Sequence, residues 1–159
     1  MAIELGKRAP AFTLPDSSGE KHRLTEHAGR WVVVYFYPRD DTPACTTEAK
    51  DFTRLLPQFR RAETAVFGCS PDDLDSHRKF EAKHRIKVPL LSDPSRRVMA
   101  KYEAWGPKTM YGKVTEGVIR STVIIDPKGR IAHRWKRVQA RRHAERVLAK
   151  LKSLQACYD

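Results

Sequence analysis

The sequence predicts an α/β domain: a central mixed β-sheet flanked by helices on both faces, with an N-terminal β-hairpin extension. Three observations carry this reading. Residues 31–37, WVVVYFY, are β-branched and aromatic without alternation, as in a strand covered on both faces. Phe52, Leu55, Leu56 and Phe59 recur at spacings of three and four, an apolar stripe of helical period. Two β-rich arms flank the turn sequence DPKG at 126–129.

The elements follow in order. FTLPDSSGEKHRLTEH reads as two short extended pieces around an SSG turn. After the 31–37 strand, a helix is expected from Cys45 to Arg60, with Pro57 kinking it or ending it early. TAVFGCS is a second buried strand. The next helix, within SPDDLDSHRKFEAKHR, has Ser70 or Asp72 as its expected cap. VPLLSD is a short extended piece, and PSRRVMAKYEAW reads as a helix entered through Pro94. VTEGVIRSTVIIDPKGRIAHRWKRV is expected to form one hairpin. A final helix, roughly 140–155, lines up Ala144, Val147, Leu148, Leu151 and Leu154 on one face. Hairpin, strand–helix–strand–helix, hairpin and helix together suit a mixed sheet.

A chain of 159 residues fits one domain, here 1–159, large enough to bury its own core. Its longest apolar run is too short to span a bilayer, and MAIELGKRAPAF carries no hydrophobic signal core. A cytoplasmic protein with no membrane partner is expected. Cys45, Cys69 and Cys157 are odd in number, widely spaced and without a CxxC. This argues against a disulfide scaffold and a thioredoxin-type dithiol. The formal net charge of +12 makes polyanions conceivable partners. Lys128 to Lys152 holds ten Lys and Arg against one acid, Glu145. Two readings stand for that region: a solvated face, or a surface that binds nucleic acid or acidic partners beside a redox-sensing thiol. His22 and His27 have a tolerable spacing for a metal, but no Cys pair accompanies them, so no metal is expected. No phosphate-binding glycine motif occurs.

Cys45 lies where the buried strand turns into a helix. Unpaired backbone N–H groups and the positive end of the helix dipole favour thiolate at such a place. A small residue packed under a helix is the alternative from position alone. Asp40 and Asp41 would oppose a thiolate and are expected to face solvent, with an arginine needed to tip the balance. His77 and His84 are expected to be solvated.

Pro38, Thr42 and Cys45 fit Pro-x-x-x-Thr-x-x-Cys, the active-site signature of the peroxiredoxins. YFYPRDDTPACTTEA resembles the bacterioferritin comigratory protein branch, or Q type. The likeness continues through GKRAPAFTLPDSSG, VFGCSPDDLDSHRKFEAKH, VPLLSDPSRRVMAKYEAWG and MYGKVTEGVIRSTVIIDPKGRI, roughly residues 3 to 136. It implies a thioredoxin fold and reduction of hydrogen peroxide and organic hydroperoxides with no metal or bound cofactor. It also implies that Cys45 is the peroxidatic nucleophile. Thr42 would contact sulfur and peroxide, Pro38 would shield the thiolate, and Arg120, in GVIRSTVIID, would stabilise its charge. Glu48 would hold Arg120 or cap the helix. Tyr102, Trp105 and Tyr111 would rim the site or pack as ordinary core.

Two departures stand out. Many Q-type proteins have Gly before the cysteine, and here it is Ala44. Many carry a resolving cysteine five residues on, or on the next helix. Position 50 is Lys, and no cysteine occurs from Asp75 to His84. Cys69 reads as a core residue rather than a resolving one, and Cys157, in the last three residues, reads as either a resolving partner of Cys45 or an idle tail thiol. The default is a one-cysteine mechanism with an external thiol: thioredoxin, glutaredoxin or a small thiol. A monomer or homodimer is expected, without nucleic acid.

Overall fold

The computed structural model describes residues 3–158, apart from the side chain of Met110. Strands β1 (Thr13–Pro15) and β2 (Lys21–Arg23) form the N-terminal hairpin, followed by a short 3-10 turn, Leu24–His27. Then come β3 (Trp31–Phe36), α1 (Pro43–Arg61), β4 (Thr64–Ser70), α2 (Leu74–His84), β5 (Leu90–Ser92) and α3 (Arg97–Lys101). The chain ends with β6 (Trp105–Met110), β7 (Lys113–Val118), β8 (Ser121–Ile125), β9 (Ile131–Trp135) and α4 (His143–Ala156).

Five strands make the central sheet, in the order β5-β4-β3-β8-β9. β3 is parallel to β4, and β4 to β5; β8 is antiparallel to both β3 and β9. Every residue of β3 is buried. The reason lies in its two neighbours in depth. Trp31, Val33 and Tyr35 meet the apolar stripes of α1 and α4. Val32, Val34 and Phe36 meet Met99 of α3 and the N-terminal Phe12 and Leu14. A strand with a core on each face has no use for alternation.

The register positions the site. Parallel strands deliver α1 and α2 from one end of the sheet, and antiparallel β8 starts at that same end. Phe36, the last residue of β3, pairs with Ser121, the first of β8. The segment after β3 and the residue before β8 are therefore neighbours in space, although about eighty residues separate them in the chain.

Four elements differ from expectation. α1 does not end at Pro57 but runs on to Arg61; the proline is exposed, so the carbonyl it leaves unpaired has access to water. α2 is capped by Asp73, whose side chain accepts from the Ser76 N–H at 2.8 Å. Ser70 and Asp72 hydrogen-bond each other instead. α3 has five residues and starts after Arg96, which takes a left-handed conformation. VTEGV is not part of the last hairpin: β7 pairs with β6 in a separate two-stranded sheet.

Gly68 in β4 shows how tightly the core is filled. A Cβ there would lie 2.7 Å from Cζ and Oη of Tyr35 and 2.9 Å from a Leu90 methyl. Tyr35 is wholly buried and stacks on Phe52 at 4.4 Å, so it has nowhere to move. Gly68→Ala is expected to cost about 1–3 kcal/mol. Calorimetry should then show melting lowered by roughly 3–10 °C.

Candidate active site

The loop leaving β3 is short and tied at each end. The Tyr37 N–H donates to the Cys69 carbonyl at 3.1 Å, prolonging the strand pairing by one residue. Asp41 then turns the chain with φ of 60°. Thr42 is the helix N-cap and Pro43 the first helical residue, where a missing N–H costs nothing. Thr46 N–H is bonded to the Thr42 carbonyl at 2.8 Å, so the Cys45 N–H one residue earlier lies outside the helical ladder. Ala44 is helical and absent from the positive-φ residues, so alanine in place of glycine introduces no backbone strain.

Cys45 is only 2% exposed. Its sulfur accepts from Arg120 Nη2 at 3.1 Å. Arg120 Nη1 donates to Glu48 Oε1 at 2.6 Å, and Glu48 stands one turn beyond Cys45 on the same face of α1. Of its two expected roles, Glu48 therefore has the first: it holds Arg120. The Arg120 carbonyl accepts from Val138 N–H at 3.0 Å, which fixes the residue's backbone as well. Burial works against the charge on Arg120, but Glu48 and then Cys45 outweigh it and hold its pKa above the usual value. Burial pushes Glu48 up to about 7, with Arg120 opposing. The guanidinium thus spans one carboxylate and one sulfur, and it is the planar fork of arginine that permits this.

Pro38 is half-buried at the start of the loop. The Thr42 hydroxyl donates to the Arg39 carbonyl at 2.9 Å rather than toward sulfur. Of the two adjacent acids, Asp41 is exposed as expected and pairs with Lys83 and His84 of α2 at 2.8 and 2.7 Å. Asp40 is not exposed. It is buried and accepts from Tyr37 Oη, Ser76 Oγ and His77 Nδ1. His77, expected in solvent, is wholly buried. Its place one turn before Phe80 on the inner face of α2 was the available signal.

The three aromatics have separate surroundings. Tyr102 is buried and donates its hydroxyl to the Pro10 carbonyl at 2.5 Å. Trp105 lies under the Arg96 guanidinium, and Tyr111 is 98% exposed.

The fold keeps the other two thiols apart from Cys45. Cys69 is buried in the core cluster on the opposite face of the sheet. Burial pushes its pKa well above the ordinary thiol range, with Asp93 adding to the effect. Cys157 is exposed and follows α4. Its neighbour Gln155 donates to the Ala62 carbonyl, just past the end of α1, at 2.7 Å. Cys45 is at the start of that helix, about 25 Å away at about 1.5 Å per residue.

His143 opens α4 beside this region. It is wholly buried, with Nε2 2.8 Å from the Thr122 hydroxyl and its ring edge-on to Trp135 and Phe52. Burial lowers its pKa to about 4, and Arg146 and Arg120 add to the effect. The folded value lies below the unfolded one of about 6.5. The unfolded chain therefore binds more protons as pH falls from 6.5 to 4, and stability is lost in that window. The loss attributable to His143 is on the order of 3 kcal/mol. Urea unfolding at pH 7 and pH 4.5 should show it, and His143→Gln should remove that share.

The basic segment lies against the same edge. Lys136, Arg137, Arg141 and Arg142 are exposed on the loop between β9 and α4, the loop whose Val138 holds Arg120.

A mixed sheet of this order, with α1 and α4 on one face and α3 on the other, is that of a thioredoxin-fold protein. The chain belongs to the AhpC/TSA family, whose model matches residues 5–134, and within it to the bacterioferritin comigratory protein, or Q-type, peroxiredoxins. Peroxiredoxin Bcp of Xanthomonas campestris is 42% identical over 147 residues, which is 91% of this chain and 92% of that one. Peroxiredoxin Bcp of Bacillus subtilis is 37% identical over 154 residues, 97% and 98% of the two chains. The solved structure of the Xanthomonas campestris bacterioferritin comigratory protein, studied for alkyl peroxide reduction, superposes with a TM-score of 0.87. It shares 40% identity and covers 95% of this chain and 96% of that one. A cysteine-to-serine variant of Xylella fastidiosa PrxQ superposes at 0.89 with 36% identity, covering 96% and 98%. The protein is a thiol-dependent peroxidase. No helix among the described residues is long and apolar enough to cross a membrane.

Proposed function

We propose that Cys45 is the peroxidatic nucleophile and that Arg120, Thr42 and Pro38 serve it. The observation that carries this reading is the 3.1 Å contact between Arg120 Nη2 and the Cys45 sulfur, at the free end of a nineteen-residue helix. The thiolate attacks one peroxide oxygen. An S–O bond forms as the O–O bond breaks, and the departing oxygen takes the electron pair and a proton to leave as water or alcohol. Sulfur is oxidised by two electrons to sulfenic acid. Negative charge thus moves from sulfur to the leaving oxygen, and Arg120 is within reach of its starting point. The Cys45 N–H, outside the helical ladder, is a preorganised donor to the bound peroxide. Thr42 has committed its proton to Arg39, so its lone pairs are what it offers a peroxide O–H. Pro38 keeps bulk water from the sulfur.

Recycling is by an external thiol. This is supported by Lys50, by the lack of cysteine from 75 to 84, by Cys69 on the other face and by Cys157 at the far end of α1. The reductant attacks the sulfenic sulfur, water leaves and a mixed disulfide forms; a second thiol then releases Cys45. Thioredoxin, glutaredoxin or a small thiol fits this chemistry, and unpaired thiols suit the reducing cytoplasm. A monomer or homodimer suffices, since the proposed groups all come from one chain.

The test is oxidation with one equivalent of peroxide, followed by mass-spectrometric mapping of sulfur products. A sulfenic acid trapped on Cys45 alone is the expected result. A Cys45–Cys157 bridge would overturn the one-cysteine route. Unmodified Cys45 with peroxide still present would overturn the nucleophile.

A further inference from the structure

Asp40 lies two residues after Pro38 and two before Thr42, and its side chain turns inward. Oδ1 accepts from Tyr37 Oη at 2.6 Å; Oδ2 accepts from Ser76 Oγ at 2.8 Å and His77 Nδ1 at 2.6 Å. Its backbone N–H donates to Asp72 Oδ2 at 2.8 Å. On the other side of the ring, His77 Nε2 is 2.9 Å from the Leu91 carbonyl of β5. A carboxylate and a carbonyl can only accept. With Asp40 ionised, both ring nitrogens donate and the ring is an imidazolium; burial works against that charge, but Asp40 outweighs it and raises the His77 pKa. The buried pair is neutral overall and fully hydrogen-bonded, the condition under which buried charge is tolerated.

We propose that His77 is a positioning residue for peroxide reduction: clamped between Asp40 and Leu91, its charged ring sets the 38–42 loop and hence where peroxide meets Cys45. The proposal rests on Cys45 being the nucleophile. Taking away the ring's second proton donor leaves either the Asp40 carboxylate or the Leu91 carbonyl without its partner. The loop would relax, and Pro38 and Thr42 lie on either side of the relaxed residue. Misplacement of a reacting group by about 1 Å costs about a hundredfold in rate. Arg120 is held separately, by Glu48 and by Val138. The clamp therefore acts on peroxide placement and leaves the sulfur's own reactivity alone. Asp41 adds a second tie from the same loop to the last turn of α2, through Lys83 and His84.

The experiment compares two reactions of Cys45 in the full chain. Peroxide reduction depends on the loop; alkylation by iodoacetamide reads the sulfur alone. His77→Gln and Asp40→Asn should each lower kcat/KM for hydrogen peroxide about tenfold or more, with alkylation changed less than about twofold. The double variant should fall no more than about threefold below either single one, because both break one link. Nitrogen NMR of the wild-type His77 ring at pH 7.5 should show both nitrogens protonated. Equal falls in both reactions would mean a merely structural role and overturn the proposal. So would an unchanged peroxide rate in His77→Gln, or a neutral ring. If Asp40→Asn does not fold, His77→Gln and the NMR measurement still decide. Wild-type Cys45 inert to peroxide would sink the nucleophile reading instead, and the state of the ring would stand apart from it.

Discussion

Cys45→Ser is expected to bring peroxide reduction down to the uncatalysed background, a loss of about a thousandfold or more. A serine hydroxyl stays protonated at neutral pH and is a poor nucleophile toward an O–O bond. The fold should persist, because oxygen for sulfur is a small change and Arg120 retains an acceptor. Cys157→Ser should keep the peroxide step at full rate, since that residue is exposed at the far end of α1. Cys69→Ala should keep the rate too, at some cost in stability, because Cys69 fills the opposite core. Peroxide consumption with each variant in molar excess is the measurement. Retained activity in Cys45→Ser would move the chemistry to another residue.

Arg120→Met should cost activity and stability by different routes. Losing a preorganised cationic donor lowers kcat/KM by about 10²–10³-fold, or about 3–4 kcal/mol. Stability should fall as well, because Glu48 is buried and its one ion-pair partner among the described residues would be gone. Breaking a buried pair from one side costs about 3–5 kcal/mol. Adding Glu48→Gln removes the stranded carboxylate, so the double variant should regain most of the stability. It should regain none of the activity, because the guanidinium at the sulfur is still missing. Chemical unfolding and steady-state kinetics on both variants separate the two routes. Recovery of activity in the double variant would show that the arginine only neutralises Glu48.

The strands and helices that hold the site could be read from local pattern. The unbroken apolar run of β3 stated that it has a core on each face, and the 52–59 stripe stated which side of α1 is inward. The pairing of Cys45 with Arg120 came from family resemblance. Its physical basis, the register of Phe36 with Ser121, is a long-range fact that no local window contains. The β6–β7 sheet is not legible in the sequence because the arm VTEGVIRSTVIID looks continuous, and nothing in its composition marks the break at Ile119 and Arg120. The burial of Asp40 and His77 is hidden from the sequence for a related reason. An acid in a loop and a histidine on a charged helix are usually solvated; here each is the other's partner. Burial of such a pair depends on two segments thirty-seven positions apart meeting correctly.

The distance between the two ends of α1 also bears on how oxidation would spread. With Cys45 at the start of α1 and Cys157 near its far end, a bond between them is expected to need a second molecule. Reciprocal bonding would produce a closed pair, and one-way bonding an open string. Either would form more slowly as the protein is diluted, whereas recycling by a small thiol in excess is indifferent to protein concentration.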